Sequence, residues 1–126
     1  MIRIRKATQK QTVAAIKSGD FSEVEKIEDT ARQEAAKVFL AVASGSVPLI
    51  WYDLPPVQCQ SGAVSVMRYA LHRSTKQAGF LQLSCMELKN GQIIPTSDRQ
   101  YNVSDAGFSE FFRDLPRSVD VNFLEQ

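Results

Sequence analysis

Residues 80–94 read FLQLSCMELKNGQII, and this stretch decides the fold of the chain. Apolar and polar residues alternate along residues 80–89, and Asn90-Gly91 follows directly. Both residues of this pair tolerate the positive φ angles of a type I′ turn, whose twist matches that of the strands it joins. The stretch therefore predicts a β-hairpin and an antiparallel sheet that organises the C-terminal half of the chain.

Other strands are predicted on both sides of this hairpin. Ile2 and Ile4 alternate with arginines, as in a short edge strand, and residues 63–73 form a longer strand before the hairpin. Residues 119–123 alternate cleanly between apolar and polar positions, which is typical of a half-buried strand. Each of these segments presents one apolar side, so we expect all of them to share the sheet of the hairpin.

Prolines limit two further segments. Residues 47–53 are apolar and β-prone, but Pro48 restricts their pairing to an edge or to the start of a strand. Pro95 is predicted to cut the second hairpin strand short and to leave residues 95–103 irregular. Residues 54–62 contain Pro55-Pro56 and are predicted to form a loop.

The longest helix is predicted between a capping-box pattern, Ser22-Glu23-Val24-Glu25, and Gly45. Its apolar residues recur at helical spacing: Val24, Ile27, Ala31, Ala35, Val38, Phe39 and Val42. Shorter helices are predicted over residues 8–18, ended by Gly19, and over residues 104–115, capped by Ser104.

Helix and sheet each have one apolar side that needs a partner. We therefore predict one α+β domain over residues 1–126. Its N-terminal helices would pack on a mainly antiparallel sheet of four or five strands, with a short C-terminal helix added.

The composition excludes several classes of protein. The 126 residues carry 15 basic and 14 acidic side chains, a balance that favours neither a nucleic-acid partner nor an acidic one. No apolar run approaches the roughly 20 residues that a membrane helix needs, and no hydrophobic signal core is present. Two cysteines, Cys59 and Cys85, are too few for a disulfide scaffold. These features predict a cytoplasmic protein without membrane contact.

The spacing of glycine and histidine argues against a cofactor or a metal. The six glycines lie at least 12 positions apart, whereas phosphate-binding loops need several close together. His72 is the single histidine, and its spacing from the two cysteines does not match a structural zinc site. A nucleophilic pair of His72 with Cys59 or Cys85 remains an open alternative, although Cys85 is expected in the core.

Two groups of residues are candidates for binding. The first lies on or near the strand at 63–73 and in the aromatic segment before it, and comprises Arg68, His72, Arg73, Lys76, Trp51 and Tyr52. Of its two aromatic residues, Trp51 is expected in the core, whereas Tyr52 could lie in the core or at a surface. The second group is the basic N-terminus, where Arg3, Arg5, Lys6 and Lys10 have no acidic residue between them.

These features favour a non-catalytic binding or regulatory protein that acts through protein–protein contacts. The prediction rests on the missing cofactor, metal and nucleophile motifs and on strand edges that could accept a partner strand or a second copy. The first alternative is a nucleic-acid-binding protein that uses the basic N-terminus or the strand with Arg68 and Arg73. The second is a small enzyme with a pocket between helix and sheet.

Overall fold

The computed structural model describes residues 1–124, which form three helices and seven strands. The helices are α1 (Gln9–Ser18), α2 (Ser22–Ala43) and α3 (Asp105–Asp114). The strands are β1 (Ile2–Arg5), β2 (Leu49–Asp53), β3 (Val57–Gln58), β4 (Val64–Arg73), β5 (Phe80–Lys89), β6 (Gln92–Asn102) and β7 (Ser118–Phe123).

The strands form one antiparallel sheet in the order β1-β7-β2-β4-β5-β6, and the short β3 pairs with the beginning of β4. The helices pack on this sheet, so the predicted α+β class is confirmed. The sheet is larger than the four or five strands expected from the sequence. The strand predicted at Ile2 and Ile4 pairs with β7 at one edge, and β3 is a two-residue strand inside the segment predicted as a loop.

The hairpin forms as predicted. Asn90 and Gly91 have φ angles of 52° and 73°, as a type I′ turn requires. The prediction that Pro95 ends the second strand is wrong, because β6 continues to Asn102. A register shift between Cys85 and Met86 accommodates this segment. Successive residues of β6 direct their main-chain groups alternately toward β5 and toward the free edge of the sheet. Pro95 occupies a position that faces the free edge, so its missing N–H removes no hydrogen bond between the strands.

The strand after Pro48 is central, so of the two predicted possibilities, an edge or the start of a strand, the structure shows the second. β2 begins at Leu49, one residue after the proline, and therefore keeps every N–H that it needs. It pairs along its whole length with β4 and at its beginning with β7.

The helix caps differ in part from the predicted ones. A capping box joins Thr8 and Gln11 at the start of α1, and Gly19 ends this helix with a φ of 76°. The predicted capping box at Ser22 is wrong, because α2 has no side-chain cap. The Ser22 hydroxyl instead donates to Asp20 over 2.7 Å. Ser104 caps α3 as predicted, since its side chain accepts from the Gly107 amide.

The core lies between α2, α3 and one face of the sheet. The predicted stripe of α2 is buried from Ala31 to Val42, whereas its first turns are half-buried. Phe39 contributes the largest side chain of this stripe and packs against Phe108 and Phe111, with ring centroids 5.6 and 5.4 Å away. The α1 helix contributes little to the core, because Ala15 is its buried residue while Val13 and Ile16 remain exposed.

Candidate functional site

The two faces of the sheet differ in what covers them. In antiparallel strands, residues directly opposite one another share a face. The face that carries Ile50, Leu71 and Leu83 packs against the helices and is called the helix face here. The opposite face carries no helix from residues 1–124 and is called the uncovered face. Its central positions include Trp51, Arg68, His72, Gln82 and Ser84.

A cleft opens on the uncovered face where β2 and β7 separate. These strands pair only at Ile50 and Trp51, and beyond this point the ladder stops. The space between them, the β2–β7 cleft, has a volume of about 560 Å³. Its walls include the apolar residues Trp51, Leu54, Pro55, Pro56, Val66 and Val119, and its rim includes Arg5, Asp53 and Asp120.

Charge gives a physical reason for this separation. If the β2–β7 register continued, Asp53 would lie directly opposite Asp120, and like charges at opposite positions destabilise a strand pair. Each carboxylate has an arginine instead. Arg68 binds Asp53 through two nitrogens at 2.7 and 3.0 Å, and Arg5 Nη2 lies 2.9 Å from Asp120.

The cleft also leaves main-chain groups unpaired. The Leu124 amide donates to the Leu49 carbonyl over 3.0 Å. This bond shows that every second residue of β2, counted from Leu49, directs its main-chain groups toward β7. By this alternation the N–H and C=O groups of Asp53 and Asp120 point toward the opposite strand. Because the ladder stops at Trp51, these groups have no partner on the opposite strand.

Trp51 and Arg68 form the central contact beside the cleft. The Arg68 guanidinium lies 4.2 Å from the centroid of the Trp51 ring, which is a cation–π distance. The hydrogen bond with Asp53 raises the pKa of Arg68. The expectation that Trp51 belongs to the core is wrong, because it lies half-buried on the uncovered face. Tyr52, for which a core and a surface position were both open, is buried in the core.

A chain of hydrogen bonds crosses the uncovered face at His72. His72 Nδ1 lies 2.8 Å from the Arg73 carbonyl, which only accepts, so Nδ1 carries the proton of the neutral ring. Nε2 then accepts from the Ser84 hydroxyl over 3.0 Å. Ser84 accepts from Gln82, and Gln82 accepts from Gln100, whose own Oε1 has no partner within residues 1–124. Serine and histidine are placed as in a nucleophile–base pair, but neither lines the cleft.

A second cavity, the tyrosine pocket, lies on the helix face beside the end of α3. Four side chains from adjacent strands form its floor in one straight row: Tyr52, Tyr69, Cys85 and Ser97. The Tyr52 and Tyr69 rings stack with centroids 5.2 Å apart. The pocket has a volume of about 230 Å³, and its other lining residues are Leu54, Leu83, Arg99, Asp114 and Pro116.

An ion pair lies at the rim of the tyrosine pocket. Arg99 Nη1 lies 2.9 Å from Asp114, and the Tyr101 hydroxyl donates to the same carboxylate oxygen over 2.7 Å. Burial alone would raise the pKa of Asp114, but the hydrogen bonds from Tyr101 and Arg99 hold that pKa below its usual value. Asp114 is therefore ionised. Tyr101 and Arg99 share its Oδ2, while its Oδ1 lies 3.6 Å from Arg113 Nε.

The tyrosine hydroxyls differ in their partners. Tyr52 is 2% exposed, and its hydroxyl has no hydrogen-bond partner among residues 1–124. Burial raises the pKa of Tyr52, so this phenol stays protonated and can donate. Interaction with the Cys85 thiol, and secondly burial, raises the pKa of Tyr69.

This difference leads to a stability prediction for two matched variants. Tyr101→Phe removes a hydrogen bond to a charged group and should lower the free energy of unfolding by about 1.5 kcal/mol. Tyr52→Phe removes a hydroxyl without a partner, and the change should stay within about 0.5 kcal/mol. Urea unfolding followed by circular dichroism measures both. Equal losses in the two variants would contradict the hydrogen-bond assignment.

The other predicted binding residues are dispersed. Lys76 Nζ lies 2.6 Å from Asp98. The Arg73 guanidinium lies over Gly45, where an added Cβ would overlap it. Trp51, Arg68 and His72 share the uncovered face, whereas Tyr52 lies on the helix face, so the structure brings three of the six predicted residues to one surface.

Three of the four N-terminal cations are engaged in internal contacts. Arg3 and Arg5 lie 3.7 and 2.9 Å from Asp120. Lys6 Nζ donates to the Phe112 and Leu115 carbonyls at the end of α3, over 2.6 and 2.7 Å. Burial is the main cause that lowers the pKa of Lys6. Lys10 is exposed on α1.

The cysteines and the histidine do not converge. Cys85 is buried on the helix face, as predicted, while His72 lies on the uncovered face, so the sheet separates them. Cys59 follows β3, which pairs with the beginning of β4, and His72 lies near the end of the same strand. The eight residue steps from Val64 to His72 span about 26 Å. Both cysteines are free thiols.

Sequence analysis missed most of the residues that line the two cavities. Asp53, Asp114, Arg99 and Ser97 come from three separate elements, β2, α3 and β6, and no local motif joins them. One signal was available for Asp53, because it lies two residues after Trp51 in the same strand and therefore on the same face.

Comparisons of the chain with protein-family models, with curated proteins and with solved structures find no match. Within residues 1–124, no helix combines the length and the apolar character needed to cross a membrane. The same part of the chain contains no group of three or more histidine, cysteine or acidic residues placed to hold a metal ion.

Proposed function

We propose that this chain is a non-catalytic binding or regulatory protein that acts through protein–protein contacts, with an extended, apolar segment of the partner lying in the β2–β7 cleft. The observation that carries the proposal is the interrupted ladder, which leaves main-chain groups of Asp53 and Asp120 unpaired beside apolar walls. An added strand gains main-chain hydrogen bonds at such a position, and the walls select its side chains.

The charges around the cleft favour an uncharged segment. Asp53 and Asp120 each have an arginine within 2.9 Å, so the cleft attracts neither sign strongly. Trp51 supplies a large aromatic surface at its end, and tryptophan is enriched among the residues that dominate binding energy.

The outer edges of the sheet are poorer acceptors for a partner strand. β1 has four residues. β6 is longer, but Pro95 offers no N–H at an outward position and a register shift interrupts the strand. Edges of this kind resist pairing with another chain, so the cleft is the better place for the predicted strand contact.

A peptide selection tests this proposal. Random short peptides displayed on phage should yield a family of uncharged, apolar sequences that bind the intact chain. Trp51 is the single tryptophan, so its fluorescence should change as a selected peptide is titrated. Val66→Asp places a charge in the cleft wall and should weaken binding at least about tenfold. Ile93→Asp on β6 is the matched control and should bind as the unchanged chain does.

Two results would contradict the proposal. The first is the absence of an enriched peptide family together with a strict monomer in size-exclusion chromatography. The second is equal peptide affinity of Val66→Asp and Ile93→Asp, with circular dichroism showing that both are folded. Salt-dependent binding of oligonucleotides in a parallel anisotropy titration would favour the nucleic-acid alternative instead.

A further inference from the structure

We propose that the tyrosine pocket binds a small aromatic carboxylic acid. The pocket opens on the helix face and shares only Leu54 with the lining of the β2–β7 cleft. The proposal does not depend on the function proposed above. Three features carry it: a tyrosine hydroxyl without a partner within residues 1–124, the donors beside it and the size of the space.

The unpartnered group is the Tyr52 hydroxyl. Within residues 1–124 this hydroxyl has no hydrogen-bond partner, although Tyr52 as a whole is 2% exposed. Its oxygen is not among the fully buried side-chain atoms that lack a partner, so it is accessible from the pocket. Tyr52 lines the pocket. A ligand atom that accepts a hydrogen bond would satisfy this donor.

The free hydrogen-bonding capacity of the pocket consists mainly of donors. Tyr52 and Ser97 each offer a hydroxyl in the same row, while the Tyr69 hydroxyl interacts with the Cys85 thiol. Arg99 uses Nη1 for Asp114 and has further N–H groups, since a guanidinium carries five. Asp114 accepts from Tyr101 and Arg99 through Oδ2, and its Oδ1 lies 3.6 Å from Arg113 Nε. Two N–H groups of one arginine can donate to the two oxygens of a carboxylate at the same time.

The shape and size favour one flat ring. The pocket volume of about 230 Å³ lies below the range typical of drug-sized ligands. Its walls combine tyrosine rings with Leu54, Leu83 and Pro116, against which an aromatic ring can pack. Glu87, the nearest carboxylate further along β5 on this face, accepts from Ser65 over 2.7 Å and is thereby held at the sheet.

Fluorine NMR provides the test, with 4-fluorobenzoate as the probe and 4-fluorobenzamide as its uncharged isostere. The intact chain should broaden and shift the acid signal in a saturable way, and the amide should bind about tenfold more weakly. Tyr52→Phe should weaken binding of the acid about tenfold while leaving unfolding unchanged. Arg99→Gln should remove the preference for the acid over the amide.

Arg3→Gln is the matched control, since Arg3 is exposed on the other side of the sheet, and it should leave both affinities unchanged. Three results would each overturn the proposal. They are no saturable binding of the acid at millimolar concentration, equal affinity for acid and amide, and undiminished affinity in folded Tyr52→Phe. None of them bears on peptide binding at Trp51, so this proposal and the proposed function fail separately.

Discussion

Phe39→Ala is expected to lower the free energy of unfolding by about 3–5 kcal/mol, the usual cost of removing a buried phenylalanine from a core. Phe39 is 2% exposed and lies in the C-terminal part of α2, where its ring packs against Phe108 and Phe111 of α3. The truncation leaves a cavity between two helices and removes two aromatic contacts. The free energy of unfolding of a small domain is about 5–15 kcal/mol in total, so this substitution removes a large share of it.

The neighbouring residue provides a control for this substitution. Leu40 is 60% exposed although it is the next residue of α2, and Leu40→Ala should change stability by no more than about 0.5 kcal/mol. Chemical denaturation of both variants, monitored by circular dichroism, gives the comparison. Similar losses at the two positions would show that the buried stripe of α2 has been assigned to the wrong side of the helix.

The stripe that contains Phe39 was predictable because helical periodicity is a local property of the sequence. Ala31, Ala35, Val38 and Val42 follow the same spacing, and all are buried as expected. The hairpin was predictable for a similar reason, since two adjacent residues determine its turn. The length of β6 was not, because the effect of Pro95 depends on whether its nitrogen faces a partner strand, and that depends on the register of the hairpin.

The cavities were less predictable than the elements that form them. The row of Tyr52, Tyr69, Cys85 and Ser97 crosses four strands, and it exists only because the registers of three strand pairs coincide. The β2–β7 cleft likewise depends on strands that are more than sixty residues apart in sequence. Periodicity predicts which side of a strand a residue occupies, but it contains no information on which strand lies beside it.

The sign of the stability change in Gly107→Ala tests how closely α3 approaches the end of β6. In an exposed helix, replacing glycine by alanine is expected to stabilise by about 1 kcal/mol. Gly107 is buried in the first turn of α3, and an added Cβ would overlap the Asn102 carbonyl oxygen and lie 2.7 Å from its carbon. The main chain has to move to relieve this overlap, so we expect a net loss of about 2 kcal/mol or more.

The Asn102 carbonyl has little freedom to move away from an alanine at this position. It accepts from the Ser104 amide over 2.9 Å, and the Ser104 hydroxyl in turn accepts from the Gly107 amide over 3.1 Å. Ser109→Ala, at an exposed position of α3, is the control and should stabilise slightly because alanine has the higher helix propensity. Thermal unfolding should therefore move the two variants in opposite directions. A stabilised Gly107→Ala would mean that α3 stands further from Asn102, and that its register on the sheet differs from the one described.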